Sequence, residues 1–550
     1  MKDSLRYVVK NPVLLIVIIP AFILTLINTI FDGQMGCVQN NCGFIVGTNF
    51  RDGIWFQAVA ATSFKTFPFQ MPNYAGEILR GYHYLPNLIA YILSFAGIPI
   101  AVTFYKLLPI AYMTGMTFLA IKLARTIYDK IIFVGIFLFS LFFGMHLSLL
   151  TSLYHYGEIR NGALINTFQA TRILESPHLA FALLGLFYVV LKLYTKQLTQ
   201  KDYFLNAAII FLTLGTKFYV AFSIIVILAI YELINAIRSK KLIPLIKIGS
   251  LYLFSTICGI LVFYDPFSAT SSGSIFIFSP FATVHHLIET PDLFYSQSMV
   301  LARYFLYEAG WSPRLVLIEL FSVFLFVVYY FGTRVLSFLY FLNPTNLKKL
   351  KPVEIAIGIS LLISILISVL FIQKGDWYNP IQFSVPAAYL SVIFLSKWLY
   401  GLVKSNRLFG YGVIGIFIVV TFPAHFINLK YFTSSARLVI PQDEVSALEF
   451  LKKQPPGVVF SPIDIFDMAY VSAFTGKSSY LNFTNTLENS GVDYSQRKTF
   501  STQFPVTISQ IEAKYFYLTD ISLKNHPSFQ CELYDLTTLY KNATVRICEN

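Results

Sequence analysis

Runs of about twenty apolar residues recur along the chain, and they constrain the fold more than any other feature. A helix rises 1.5 Å per residue, so about twenty residues cross a hydrocarbon layer about 30 Å thick with every backbone amide bonded inside the segment. Such runs read near 11–31, 102–123, 131–150, 178–194, 203–216, 218–235, 244–264, 315–333, 354–373, 381–400 and 409–428. The pair flanking Lys217 is short and reads as two partial spans meeting at the outer face. Of 550 residues, 56% are hydrophobic and 13% charged, about half the charged share of a soluble domain. Residues 11–31 lack a small-residue cleavage site and read as a retained span, not a signal peptide. The expected fold is mainly α: a polytopic transmembrane bundle of about eleven spans.

The net charge of +13 sits mostly in short loops, where it orients helices in a bilayer and does not form a face for nucleic acid. Clusters at Lys2/Arg6/Lys10, Lys122/Arg125/Lys130, Lys196/Lys201, Arg238/Lys240/Lys241, Arg334/Lys348/Lys349/Lys351 and Lys404/Arg407 all fall on one side if residues 84–98 do not span. That side is the cytoplasm by the positive-inside rule, and 84–98 becomes a helix dipping into the outer leaflet. The expectation is a multi-pass plasma-membrane protein with a cytoplasmic N-terminus. Loops 32–101, 151–177, 265–313 and 374–380 lie outside. Residues 1–430 form the membrane module, and 431–550 a small extracytoplasmic α/β domain with a helix at "DEVSALEFLKKQ" and strands at "PGVVFSP", "KYFYLTD" and "ATVRICE". Two local disulfides, Cys37 with Cys42 and Cys531 with Cys548, are geometrically possible there, while Cys258 reads as packing inside a span. No cysteine or histidine spacing of a zinc site occurs.

Ionisable groups beside spans are costly to desolvate, which makes them candidates for chemistry. Asp52 opens "DGIWFQAVAATSFKTF", where Trp55, Phe56, Val59, Ala60, Phe64 and Phe67 form one stripe of an amphipathic, interfacial helix. The acid is either a helix cap or a carboxylate held ready by the helix dipole. In the second outer loop, His155, Glu158, Arg160, Gln169, Arg172, Glu175 and His178 crowd into one short stretch. Arg160 and Arg172 suit a forked grip on phosphate, and Glu158 or Glu175 suits a metal or a sugar; the plain alternative is a solvated loop with internal ion pairs. Lys217 in "LGTKFYV" suits a phosphate contact or a side chain reaching the headgroups. "FIQKGDWYNPIQF" places Lys374, Asp376, Trp377, Asn379 and Gln382 in one outer turn. His285 and His286 have no third ligand at metal spacing and read as surface polar residues. The triplets at Asn482 and Asn542 are glycan acceptors only where a host supplies that machinery.

A first span, the acid-led helix "RDGIWFQAV", then "FPFQMPNYAGEILRGYHYLPNLIAYILSFAGI", "LGTKFYV", "GDWYNPIQF" and the tail "IPQDEVSALEFLKKQPPGVVFSP" together resemble the polyprenyl-phosphate-sugar-dependent glycosyltransferases of the GT-C superfamily. The resemblance is a loose pattern over most of the chain. It implies a polyprenyl-phosphate sugar donor entering from the outer leaflet and an envelope glycan, lipid or protein acceptor. It also implies Asp52 as general base, with Lys217, Arg172 and Arg160 on the donor phosphate. His83, Glu158, Glu175, His178, Asp376 and Gln382 would orient the acceptor, the sugar or a metal, with Mg or Mn left open. No DxD or ExD pair follows Asp52, and no WWDYG motif stands in the tail. Two other readings compete: a transporter or flippase of a lipid-linked precursor, for which neither repeats nor mid-span acids are visible, and a non-catalytic member of the family.

Overall fold

The computed structural model describes residues 2–38, 41–47, 50–144, 153–157, 176–195, 198–264, 276–289, 295–373, 379–422, 425, 438–462 and 469–550. Among the described residues, seven helices are long and apolar enough to cross a membrane: Ile100–Ile127, Pro177–Thr195, Phe218–Ser239, Leu242–Phe263, Pro313–Tyr340, Pro352–Leu370 and Asn379–Ser405. This is a membrane protein. Among the described residues, the runs that start at 11, 131, 203 and 409 contain the shorter helices Leu15–Ile30, Ile131–Phe143, Gln200–Leu214 and Arg407–Thr421. The first is bent by 98° from the N-terminal helix at the break before Pro12. Phe218–Ser239, expected to be a partial span, runs for 22 residues. Leu85–Phe95 has 11 residues, about 16 Å at 1.5 Å each. That is too short to cross, in keeping with the reading of 84–98.

At the end of the bundle carrying the basic clusters, charges form one buried pair and one exposed pair. Lys397 Nζ lies 2.7 Å from Glu354 Oε1, which also accepts from the Tyr194 hydroxyl at 3.0 Å. Arg125 pairs with Asp129 at 3.0 Å and stacks over Tyr7. Arg334 departs from its assigned place in a basic loop. It is fully buried, donates to Leu141 O at 3.2 Å and lies over the Tyr389 ring. Its long stem and planar head are absorbed where helices converge, which a loop assignment from charge alone overlooks.

The opposite end carries the sheets. Strands Gln34–Val38 and Asn41–Gly47 form a hairpin with Cys37 directly opposite Cys42, and these two are disulfide-bonded. The second strand pairs antiparallel with Leu438–Pro441 from the far end of the chain. A four-stranded tail sheet runs in the order Val459–Phe460, Tyr515–Thr519, Val545–Glu549, Thr537–Lys541. The first pair is parallel and the other two antiparallel. Helix Gln442–Lys453 buries Val445, Leu448 and Leu451 against this sheet, and Cys531 is bonded to Cys548.

Helix Phe50–Thr62 corrects the interfacial reading. Trp55, Phe56, Val59 and Ala60 are buried as expected, yet so are Ile54 and Ala58 on the other side, because tail helix Tyr470–Thr475 covers that face. Thr62 Oγ1 donates to Ser472 O at 3.2 Å and Lys65 Nζ to Gly476 O at 2.6 Å. Phe64 is buried, whereas Phe67 lies beyond the helical turn Ser63–Lys65 and is 90% exposed. The segment after this helix is stitched to the tail. Ala75 N–H donates to Ser479 O, Ser479 N–H to Pro72 O and Asn482 N–H to Asn73 O, all within 2.9 Å. The fully buried Asn73 donates to Asn482 O at 2.9 Å, Phe483 O at 3.1 Å and Thr486 Oγ1 at 2.8 Å. Asn482 is only 2% exposed, so it is no glycan acceptor.

Candidate functional site

Between the bundle and the tail lies a cavity of about 730 Å³, within the usual range for small-molecule sites. The first loop supplies Trp55 and Arg80 to His83. The start of helix Pro177–Thr195 supplies His178, and the start of Phe218–Ser239 supplies Lys217 and Tyr219. The turn after Pro352–Leu370 supplies Gln373, Asn379 and Gln382, and the tail supplies Phe483 to Ser490 in part. All four outer loops and the tail therefore meet around one chamber, as do His83, His178, Lys217 and Gln382 from the sequence-derived candidates.

Local chain geometry explains each placement. Gly215 breaks the helix ahead of Lys217, and a Cβ there would stand 2.5 Å from the Phe263 ring, so only glycine allows this approach. The freed Gly215 carbonyl accepts from Leu85 N–H at 2.9 Å, and Tyr84 OH donates to Val262 O at 3.0 Å, anchoring the first loop here. Lys217 occupies the N-cap of a helix of 22 residues. The first amides of that helix have no acceptor within it, and its dipole is positive at this end. His178 Nε2 donates to Asn87 Oδ1 at 2.7 Å, and Asn87 Nδ2 donates in turn to Phe56 O at 3.0 Å. The Tyr82 hydroxyl lies 3.4 Å from the same ring nitrogen. The ring centroids of His83 and His178 are 4.9 Å apart. Burial first, then the charge of Lys217 and the neighbouring His178, hold the His83 imidazole well below its ordinary pKa. It is neutral at physiological pH and able to take or give one hydrogen bond at each nitrogen.

Other expected residues stand elsewhere. Asp52 lies on the first-loop helix Phe50–Thr62, one turn ahead of Trp55; its side chain is outside the described residues, as are Glu158, Arg160, Arg172, Glu175 and Asp376. His285 is not a free surface residue: its Nε2 is 2.7 Å from the buried Glu319 Oε2, tying a loop helix to the span Pro313–Phe331. Glu319 is thus an acid inside a span that the sequence reading passed over. That reading also missed Gln373, Tyr82, Asn87, Asn485 and Asn489. Only the polar density of "NFTNTLENS" signals the last two.

A metal fits the described lining poorly. It holds no carboxylate, the ligand that Mg and Mn favour. Among the described residues no three His, Cys, Asp or Glu side chains come together.

No protein-family model matches the sequence, and no curated protein matches it. Solved structures do. The chain is similar to the crystal structure of the Archaeoglobus fulgidus oligosaccharyltransferase in complex with Zn and sulfate, with a TM-score of 0.51 and 13% identity over 92% of this chain and 68% of that one. It is similar to the oligosaccharyltransferase AglB of Archaeoglobus fulgidus in complex with an inhibitory peptide and a dolichol-phosphate, with a TM-score of 0.50 and 13% identity over 94% and 70% of the two chains. ArnT from Cupriavidus metallidurans bound to undecaprenyl phosphate matches at a TM-score of 0.39 and 10% identity over 97% of each chain. The chain shares the fold of the Archaeoglobus fulgidus oligosaccharyltransferase structures, as the sequence resemblance leads one to expect.

Proposed function

We propose that the protein is a membrane glycosyltransferase that moves a sugar from a polyprenyl-phosphate donor to an extracytoplasmic acceptor, in the cavity under the tail. The observation that carries this reading is Lys217, set at the N-terminus of a long helix in a chamber walled by the first loop, two helix starts and the tail. An ammonium at the N-terminus of a long helix, where the helix dipole is positive, suits a phosphate. The AglB neighbour was solved with a dolichol-phosphate, which supports a lipid phosphate in this fold.

In the reaction an acceptor hydroxyl oxygen attacks the anomeric carbon. The bond from that carbon to the phosphate oxygen breaks, and polyprenyl phosphate leaves with the electron pair. Asp52, at the head of the first-loop helix, takes the hydroxyl proton as general base. Lys217 and the helix amides stabilise the charge gathering on the leaving phosphate. Arg160 and Arg172 add positive charge from the second outer loop, while His83 and His178 orient bound hydroxyls. A divalent cation, if bound, would balance phosphate charge, and Glu158, Glu175 and Asp376 are the acids to hold it. The cavity opens on the outer face of the plasma membrane, and the N-terminus is cytoplasmic.

The test uses the full chain in lipid nanodiscs. Lys217→Ala is expected to weaken binding of undecaprenyl phosphate by about ten- to a hundred-fold, the loss of a charged hydrogen bond of about 1.5–3 kcal/mol. Asp52→Asn is expected to lower sugar transfer from lipid-linked donors by at least about a hundred-fold without changing the melting temperature. Full activity in Asp52→Asn removes the base, and unaltered carrier binding in Lys217→Ala removes the phosphate subsite.

A further inference from the structure

Three carboxamides form a chain along one wall of the cavity. Gln382 Nε2 donates to Asn379 Oδ1 at 2.9 Å, and Asn379 Nδ2 donates to Gln373 Oε1 at 2.8 Å. The chain is held at both ends by backbone. Gln373 closes the strand Phe371–Gln373, which pairs with Phe276–Phe278. Gln382 sits in the turn Asn379–Phe383, where Pro380 O accepts from Ser368 Oγ and Ile381 O from the Tyr330 hydroxyl, both at 2.9 Å. Because each internal bond uses one amino group and one carbonyl, the chain presents an unused donor, Gln373 Nε2, and an unused acceptor, Gln382 Oε1, among the described residues. Asn485 and Asn489 of the tail and the Trp55 and Tyr219 rings line the same cavity.

These features select a ligand chemistry. A sugar hydroxyl both donates and accepts, which suits a wall ending in one donor and one acceptor, and the C–H faces of a sugar ring suit aromatic rings. Carboxamides discriminate by geometry, through a fixed donor and a fixed acceptor. Resting on the reading of the cavity as a lipid-linked-sugar site, we infer that Gln373, Asn379 and Gln382 read the hydroxyls of the transferred sugar.

The experiment measures Trp fluorescence of the full chain in nanodiscs titrated with undecaprenyl phosphate and with its glucosyl, mannosyl, galactosyl and arabinosyl derivatives. At least one derivative is expected to bind about tenfold more tightly than the bare carrier. Gln373→Ala combined with Gln382→Ala is expected to erase that tenfold gain while the bare carrier still binds within about twofold. If that pair loses the bare carrier as well, Gln373→Glu decides. It keeps the shape, removes the donor, and should lose the sugar-dependent gain while the bare carrier still binds. Sugars adding nothing in the wild type, or a gain that survives these substitutions, overturns the inference. Failure of the bare carrier and every derivative to bind the wild type overturns instead the lipid-phosphate reading beneath it.

Discussion

A histidine enclosed beside a lysine couples the site to acidity. His83 has its folded pKa pushed far below the unfolded value of about 6.5 by burial and by Lys217. In the folded chain it stays neutral while the unfolded chain takes up a proton as pH falls through about 6.5. The stability this residue contributes is therefore fully present above that pH and is lost as the solution is acidified below it. The melting temperature should fall between about pH 7 and pH 5, and His83→Gln should flatten part of that fall; an unchanged slope would place the titration elsewhere. At this scale the sequence was legible where chemistry is scarce in apolar surroundings. A single lysine in "LGTKFYV", and histidines beside span starts, stand out because charge next to lipid is costly. Gln373, Asn485 and Asn489 did not stand out, since carboxamides occur in any loop and only the fold shows which of them face a cavity.

Elements were legible when their own residues determine them. The tail helix and three of its strands appear where "DEVSALEFLKKQ", "PGVVFSP", "KYFYLTD" and "ATVRICE" place them. Helix Phe50–Thr62 shows the limit: its stripe gives the helix, but what lies against the opposite face is written some 400 residues away, in Tyr470–Thr475. The tail sheet carries its own staple. Strand Val545–Glu549 lies inside the sheet, between Tyr515–Thr519 and Thr537–Lys541, and its Cys548 is bonded to Cys531, 17 residues earlier. Closing a loop of that size stabilises a chain by about 3 kcal/mol. Cys531→Ser with Cys548→Ser should lower the tail's unfolding free energy by about that amount in urea, and an unaltered midpoint would show that the sheet holds without it.

For the whole molecule, apolar runs and the placement of lysine and arginine were enough to anticipate a helical membrane bundle with a small α/β domain at one end. The union of that domain with the first loop was hidden, because it rests on hydrogen bonds between residues 409 apart in sequence, for which no local pattern exists. Asn73 is the centre of that union. Asn73→Ala removes its bonds to Asn482, Phe483 and Thr486 and takes from the Asn482 carbonyl its side-chain donor, a cost of about 1–3 kcal/mol. The tail of that variant should be cut faster by added protease while the membrane helices survive; equal cutting rates would show that the tail is held elsewhere.

The hairpin near the N-terminus finds its third strand in Leu438–Pro441. A ribosome adding about 5 to 20 residues per second needs about 20 to 80 seconds to deliver that partner after the hairpin emerges. Through that interval the chamber has a floor and no roof. The cavity is complete only once the tail residues between Phe483 and Ser490 that line it have been made.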